Sequence, residues 1–276
     1  MVYPNGTLID FSGTARQIRE TFHTEIHRLV VNGARHVANM SDPKIPEALE
    51  PAIVGIASLN DFMPHAMLTP QSDFAISNGR QVVVPEDLAT IYNLNPLFKS
   101  GISGRGQTIV VIESTDVFNL ADWHNFRKVF GLATAYPFAS FTQIHPSSGA
   151  INNCVPPGTN GADEEAILDA EWSSAAAPNA NIVLASCLST TTFGGLIAVQ
   201  NLINMPAPPP IMSISYGSSE SNLGAAQNAA YYYTYQQAVA EGVSIFVSSG
   251  DSGADTSDRT TRHPWNQRKR LCIYAL

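Results

Sequence analysis

The stretch Thr108-Ile-Val-Val-Ile-Glu113 decides the fold class, because it is a short apolar run that ends on a carboxylate. Such a run, placed after the turn-forming Gly104-Arg-Gly-Gln107, is typical of a strand buried on both faces of a parallel sheet. Similar apolar runs follow at residues 181–185, 211–216 and 243–248. Helical patterns separate the runs at residues 121–130, 162–176, 190–204 and 223–241. This alternation predicts an α/β fold, a parallel sheet with helices on both faces.

The N-terminal part of the chain has a different pattern. Residues 14–32 carry apolar side chains at three- and four-residue spacing and are followed by Gly33, which predicts an amphipathic helix. Residues 52–59 form a short apolar run that fits either a helix or a strand. Residues 60–82 contain prolines and polar residues without a sustained period, which indicates a linker where a protease could cut.

Composition excludes several classes of partner. The chain has 276 residues, a formal net charge of −8 and only 14% charged residues, which argues against a nucleic-acid partner. No apolar run approaches the roughly 18 residues of a membrane span, so we expect no membrane insertion. The first residues lack the basic start and apolar stretch of a signal peptide.

Three cysteines are present, and none has the spacing of a metal ligand, so a zinc site is not expected. Cys154 and Cys187 flank the acidic helix and the strand that follows it. A disulfide between them would contribute about 3–4 kcal/mol and would indicate an oxidising compartment. The alternative is a pair of buried thiols.

Acidic side chains are the candidate functional residues. Glu165 and Asp169 are four residues apart in a helical pattern, so they share one helix face. Glu113 and Asp251 each follow an apolar run, at the sheet edge where α/β proteins place their sites. The alternatives are a solvated helix face for the pair and a plain turn for Asp251. His124, His145 and His263 lack a nucleophile-elbow serine as a partner.

Three motifs together carry a family resemblance: Glu165-Ala-Ile-Leu-Asp169, Ser213-Ile-Ser-Tyr-Gly217 and Ser249-Gly-Asp-Ser-Gly253. In this order they resemble the sedolisin, or serine-carboxyl, peptidases. Phe11-Ser-Gly-Thr-Ala15 and the run from Val54 to Phe62 resemble the activation propeptide of the same family. The resemblance extends from about residue 8 to residue 258. It implies a subtilisin-like fold, preceded by a partial α+β propeptide, and cleavage of peptide bonds at acid pH.

The resemblance also implies roles for individual residues. Glu165 matches the general base, Asp169 the acid that orients it, and Asp251 a protonated acid in the oxyanion hole. Glu113 resembles a further acid that is bonded to the catalytic glutamate. The matching substrate-binding strand, whose backbone pairs with an extended peptide, consists of Ser215, Tyr216 and Gly217.

The chain departs from the family at the nucleophile. The family's reactive serine lies in a Gly-Thr-Ser motif beyond the Ser-Gly-Asp segment, and the chain contains no Gly-Thr-Ser. We therefore expect an incomplete chain that is inactive by itself. The family's calcium site would lie in the missing C-terminal part, so we expect no metal or other cofactor here. A non-catalytic fragment or pseudoenzyme that at most binds peptides or a partner is the alternative function.

These expectations divide the chain into four parts. They are a partial activation propeptide (1–62), a linker or processing region (63–82), an incomplete subtilisin-like peptidase domain (83–258) and an atypical basic tail (259–276). The expected partners are a peptide or protein substrate and the chain's own propeptide, and we expect a monomer. By resemblance the protein would be secreted, although no signal peptide is visible.

Overall fold

A computed structural model of the chain describes residues 1–66, 83–147 and 153–250. The predicted oxyanion acid Asp251 and the predicted basic tail lie outside the described residues. So does most of the predicted linker, of which only residues 63–66 are described.

The N-terminal part contains one helix and one hairpin. Helix α1 (Ala15–Phe22) begins with a capping box, in which Thr14 and Gln17 each satisfy a backbone N–H of the other. Strands β1 (Ile26–Val31) and β2 (Ala34–Asn39) then pair antiparallel. A 3-10 turn follows at Glu47–Leu49.

The single helix predicted over residues 14–32 is therefore wrong in its second half. The helix ends where His23 adopts a left-handed conformation at φ 52°. The β-branched residues that follow favour a strand, and Asn32 and Gly33 both have positive φ. That pair forms the tight turn of the hairpin, so Gly33 turns a hairpin instead of ending a helix.

The rest of the described chain alternates between helices and strands, as predicted. Its elements are β3 (His65–Ala66), α2 (Pro85–Ile91), α3 (Asn95–Lys99), β4 (Thr108–Glu113), α4 (Ala121–Val129), α5 (Leu132–Ala135), β5 (Ser140–Ile144), α6 (Asp163–Ala176), β6 (Asn181–Ser186), α7 (Gly194–Ile203), β7 (Ile211–Ile214), β8 (Tyr216–Gly217), α8 (Glu220–Ala240) and β9 (Ser244–Val247).

Five strands form one parallel sheet in the order β5-β6-β4-β7-β9. The stretch 108–113 is β4, the central strand, as its continuous apolar run requires. Its last residue, Glu113, is in register with Ser186 at the end of β6. The predicted α/β class with a subtilisin-like parallel sheet is confirmed.

Helices cover both faces of the sheet, and successive residues of β4 pack against opposite layers. Val110 and Ile112 belong to a core cluster with residues of α7, whereas Val111 belongs to a second cluster with Ala166 and Ala170 of α6. The two clusters lie on opposite faces of the sheet, and each joins the sheet to one layer of helices. Residues on the α6 side position the candidate carboxylates, and those on the α7 and α8 side border the strand β8.

Candidate active site

Helix α6 carries the two carboxylates that the four-residue spacing placed on one face. Acidic residues fill its first turn, where they stabilise the positive end of the helix dipole. Glu165 is buried, whereas the neighbouring Glu164 is exposed. The Glu165–Asp169 face lies at the carboxyl edge of the sheet, because Asp169 bonds Ser215 just after β7 and Glu165 acts on Glu113 at the end of β4.

The start of α6 is attached to the loop after β4 through Asn160. Its amide nitrogen Nδ2 donates to the backbone oxygen of Ser114 at 2.7 Å, and its Oδ1 accepts from the backbone N–H of Ala162. The hydroxyl of Thr115 accepts from the backbone N–H of Asn160. These bonds fix the helix relative to the strand end that carries Glu113.

Glu113 is fully buried at the end of β4. Burial raises the pKa of its carboxyl well above the ordinary value, and the neighbouring negative charge of Asp169 raises it further. A raised pKa favours the neutral, protonated form of this carboxyl. It can therefore act as a hydrogen-bond donor.

Asp169 is held by Ser215, which lies between β7 and β8. The Ser215 hydroxyl reaches Oδ1 of Asp169 at 2.9 Å and Oδ2 at 2.7 Å. Burial raises the pKa of Asp169, while hydrogen bonds from Ser215 and Glu113 oppose that rise. The two carboxyls are therefore electrostatically coupled, because Asp169 raises the pKa of Glu113 while Glu113 lowers that of Asp169.

Tyr216 completes this buried group from the side of β8. Its hydroxyl interacts with Glu113, and burial raises its pKa well above the ordinary value. Neither oxygen of Glu113 nor the Tyr216 hydroxyl makes a hydrogen bond of full ordinary geometry within the described part of the chain. Glu113 nevertheless lies close enough to Asp169 and to Tyr216 for each of these neighbours to shift its pKa.

Strand β8 is paired with the chain's own β3. His65 lies opposite Gly217, and Ala66 lies opposite Tyr216, in antiparallel register. The strand predicted to bind substrate thus has its free edge covered by residues that lie early in the chain.

Comparisons of the sequence with known proteins identify similar proteins. Residues 1–62 match the family described as Pro-kumamolisin, activation domain. The chain is 26% identical to kumamolisin of Bacillus sp. (strain MN-32) over 264 residues, which cover 92% of this chain and 46% of that protein. It is 26% identical to xanthomonalisin of Xanthomonas sp. (strain T-22), covering 91% of this chain and 31% of that protein. It is also 26% identical to tripeptidyl-peptidase 1 of Canis lupus familiaris, covering 87% of this chain and 42% of that protein.

The chain is a relative of the sedolisin peptidases. The resemblance read from the three motifs is confirmed, and so is the activation-propeptide character of the N-terminal part. This sedolisin relative spans less than half the length of each curated relative named here.

The structure brings some of the predicted site residues of this sedolisin relative together. The buried Glu113 and Tyr216 lie together with the partly buried Asp169 and Ser215, and the charge of Glu165 acts on both Glu113 and Tyr216. Asp251 lies outside the described residues, one position after the last described residue, Gly250. Its placement relative to the other acids stays a prediction.

A second polar cluster at the same sheet edge was not predicted. The Ser186 hydroxyl donates to Oδ1 of Asp116 at 2.6 Å, and Nε2 of His145 lies 3.0 Å from that oxygen. Ser186 is fully buried and bonds the aspartate instead of the histidine, so no serine–histidine pair for nucleophilic catalysis exists here. The cluster joins the ends of β6 and β5 to the loop after β4.

Cys154 and Cys187 form a disulfide bond next to this cluster, and both are buried. The bond attaches the segment before α6 to the residue that follows β6. No group of three or more metal-ligating side chains occurs among residues 1–66, 83–147 and 153–250. Within the same residues, no helix is long and apolar enough to cross a membrane.

Proposed function

We propose that the protein is an acid-acting serine-type, or serine-carboxyl, endopeptidase. The observation that carries the proposal is the group formed by the buried Glu113 and the partly buried Asp169 and Ser215. It lies beside Glu165, at the strand whose edge an extended segment of the chain covers. Raised pKa values of this kind cluster at sites of acid–base chemistry.

In the proposed mechanism Glu165 is the general base that takes the proton of a serine hydroxyl. Asp169 forms a hydrogen bond with Glu165 and orients it, as the resemblance implies, and Asp169 is the donor of this bond because Glu165 must be unprotonated to take the serine proton. Glu113 is a positioning residue, because its proton keeps Asp169 an acceptor on the side away from substrate. A carboxylate base works best near its own pKa, which explains activity in the acid range.

Asp251 is proposed to donate a hydrogen bond to the oxyanion that develops on the substrate carbonyl. Only a protonated carboxyl can make this bond, so the role again requires acid pH. A charged aspartate at that place would repel the oxyanion and slow the reaction.

Substrate is proposed to bind as an added strand along Ser215, Tyr216 and Gly217. Support comes from β3, because His65 and Ala66 already bind this edge in the antiparallel register that an extended peptide would use. The same pairing supports the chain's own N-terminal part as a partner that covers the site before maturation.

The nucleophile of the proposed reaction is a serine in a Gly-Thr-Ser motif, which the 276 residues do not contain. We therefore propose that this chain alone does not turn over substrate, since base and oxyanion acid without a nucleophile catalyse little. This absence also supports the alternative function, a non-catalytic protein that binds peptides at β8. The calcium site of the resemblance is proposed to lie outside these residues.

The protein is further proposed to be secreted and monomeric. The disulfide between Cys154 and Cys187 supports an oxidising compartment. The net charge of −8 gives no basis for binding nucleic acid.

The test is hydrolysis of a denatured protein at about pH 3–5, where a carboxylate base operates, followed as newly formed amino termini. We expect no turnover by the 276-residue chain. We expect turnover by a longer product of the same gene that carries a Gly-Thr-Ser segment, and loss of that turnover in Glu165→Gln. Turnover that persists in Glu165→Gln would overturn the proposed mechanism. A longer product that binds peptides without cleaving them would establish the alternative function.

A further inference from the structure

The segment that leads into helix α6 is held by hydrogen bonds and not by buried side chains. Residues 158–161 are exposed, and Gly158 and Gly161 have positive φ, at 62° and 89°. A methyl group added at either glycine would meet no atom within 4 Å outside its chain neighbours. Exposed backbone without side-chain packing opens easily, so the placement of the first turn of α6 depends on the bonds that this segment makes. Glu165 lies in that turn.

Four hydrogen bonds join this segment to the loop after β4. The backbone N–H of Asp116 and the hydroxyl of Thr115 both donate to the backbone oxygen of Gly158, at 2.9 Å and 3.3 Å. The Thr115 hydroxyl also accepts from the backbone N–H of Asn160 at 3.2 Å. The Asn160 side chain donates to the backbone oxygen of Ser114. A movement of this loop is therefore passed on to the start of α6.

The loop is fixed in turn through the carboxylate of Asp116, whose side chain is only 15% exposed. Its Oδ1 accepts from the Ser186 hydroxyl at 2.6 Å and lies 3.0 Å from Nε2 of His145. Ser186 is the last residue of β6, and His145 directly follows β5. Hydrogen bonds to a carboxylate are stronger than those between neutral groups. One side chain thus ties the loop to the ends of two neighbouring strands.

We infer that Asp116 is a positioning residue for the general base and acts through the start of α6. The inference rests on the proposed role of Glu165 and extends the site to Asp116, His145 and Ser186. The Asp116 carboxylate fixes the loop after β4, and the loop fixes the segment before α6. The helix then holds Glu165 where it takes the serine proton. Asp116 itself does not touch the substrate.

The size of the effect follows from the geometry that proton transfer requires. A base takes a proton from a hydroxyl oxygen at a distance of about 3 Å. A displacement of about 1 Å lowers such a rate by about a hundredfold. Without the Asp116 carboxylate the loop stays attached to β4, so we expect a smaller displacement and a fall in kcat of about tenfold or more. KM stays within about twofold, because the substrate is proposed to bind along β8.

The first measurement is hydrogen exchange on the 276-residue chain, which needs no catalysis. Asp116→Ala is expected to speed exchange of the amides in residues 158–166 about tenfold or more, whereas exchange in α7 stays unchanged. Ser140→Ala is the matched control, because the Ser140 hydroxyl bonds the Asn181 side chain at 2.9 Å and joins β5 to β6 at their opposite ends. Ser186→Ala replaces Asp116→Ala if the latter does not fold.

The second measurement is peptide hydrolysis by a longer, active product of the same gene. Asp116→Ala lowers kcat about tenfold or more with KM nearly unchanged, which is the pattern of an interaction needed only in the transition state. Asp116→Asn keeps an acceptor oxygen for the Ser186 hydroxyl and recovers most of the lost kcat. Ser140→Ala keeps the parent values of kcat and KM.

Unchanged exchange at the start of α6 in Asp116→Ala would overturn the inference, and so would an unchanged kcat or a loss that Asp116→Asn does not repair. An equal effect of Ser140→Ala would overturn it too, because the loss would then come from the sheet as a whole. These failures leave the proposed peptidase intact. A longer product that cleaves no peptide would contradict the proposed function, and hydrogen exchange would still decide whether Asp116 holds the helix.

Discussion

Replacement of Glu171 by glutamine is expected to stabilise the protein, but only at neutral and alkaline pH. Glu171 is half-buried on α6, and burial raises the pKa of its carboxyl from 4.5 to about 7, with a smaller contribution from the charge of Asp122. The native state therefore holds this proton more tightly than the unfolded chain does. Native stability falls as pH rises from about 4.5 through about 7, because the carboxylate must then be charged in a poorly hydrated place.

The magnitude follows from the two pKa values. The pKa of Glu171 rises from 4.5 to about 7 on folding. At about 1.36 kcal/mol for each pKa unit, this rise corresponds to about 3.4 kcal/mol of stability. Glu171 is half exposed to solvent, and screening reduces the effect to about 1 kcal/mol. Glutamine has nearly the same shape and no charge, so Glu171→Gln should recover about 1 kcal/mol at pH 8 and almost nothing at pH 4.

The assay is urea unfolding of both proteins at pH 4 and pH 8, followed by circular dichroism. Glu164→Gln is the matched control, because Glu164 is an exposed glutamate on the same helix. The control should show no comparable gain. A Glu171→Gln protein that is less stable than the parent at pH 8, or that gains equally at both pH values, would refute the reasoning.

Three further predictions concern the site and its support. Reduction of the disulfide, or replacement of Cys154 and Cys187 by alanine, should lower the free energy of unfolding by about 3–4 kcal/mol, because the bond joins residues 33 positions apart. Urea unfolding measures the change, and an unchanged midpoint would contradict the prediction. Ser215→Ala removes the hydrogen bonds that lower the pKa of Asp169, so the titration of the Asp169 carboxyl should move to higher pH. Infrared spectroscopy follows this titration, and a shift to lower pH would count against the assigned role of Ser215. In an active, longer gene product, Asp251→Asn should keep the fold and lower the rate by about 10²–10³, measured as peptide hydrolysis, whereas full activity would remove Asp251 from the oxyanion hole.

The sheet was predictable from sequence because its central strands are buried on both faces. Strands β4, β6 and β7 appear as continuous apolar runs, and each was predicted. Strand β5 was missed, because Ser140–Ile144 has three polar residues among five and forms no continuous apolar run. Polar composition, and not edge position, hid this strand, because β9 lies at the other edge of the described sheet and was predicted from its apolar run at residues 243–248.

The hairpin of the N-terminal part was missed for another reason. Its strand β1 carries apolar residues whose spacing also fits a helix, and the helix pattern was preferred. The Asn32-Gly33 pair was the better signal, because that dipeptide is typical of a two-residue hairpin turn.

Pairs of site residues on one element were easier to predict than contacts between elements. The Glu165–Asp169 spacing on α6 could be read directly, and the family motifs supplied Glu113 and Ser215. The bond from Ser215 to Asp169 depends on how α6 packs on the sheet, which no local pattern contains. The same holds for Asp116 and Ser186, which come together only because their strands are neighbours.

The pairing of β3 with β8 has a consequence for measuring any peptide against the intact chain. Both strands belong to one polypeptide, so β3 acts as a tethered competitor whose effective concentration is on the order of millimolar. A single cut between residues 66 and 83 would leave it to rebind from bulk solution, about a thousandfold more dilute at micromolar protein. One broken peptide bond would therefore change the apparent affinity for every other peptide without altering a single contact in the groove.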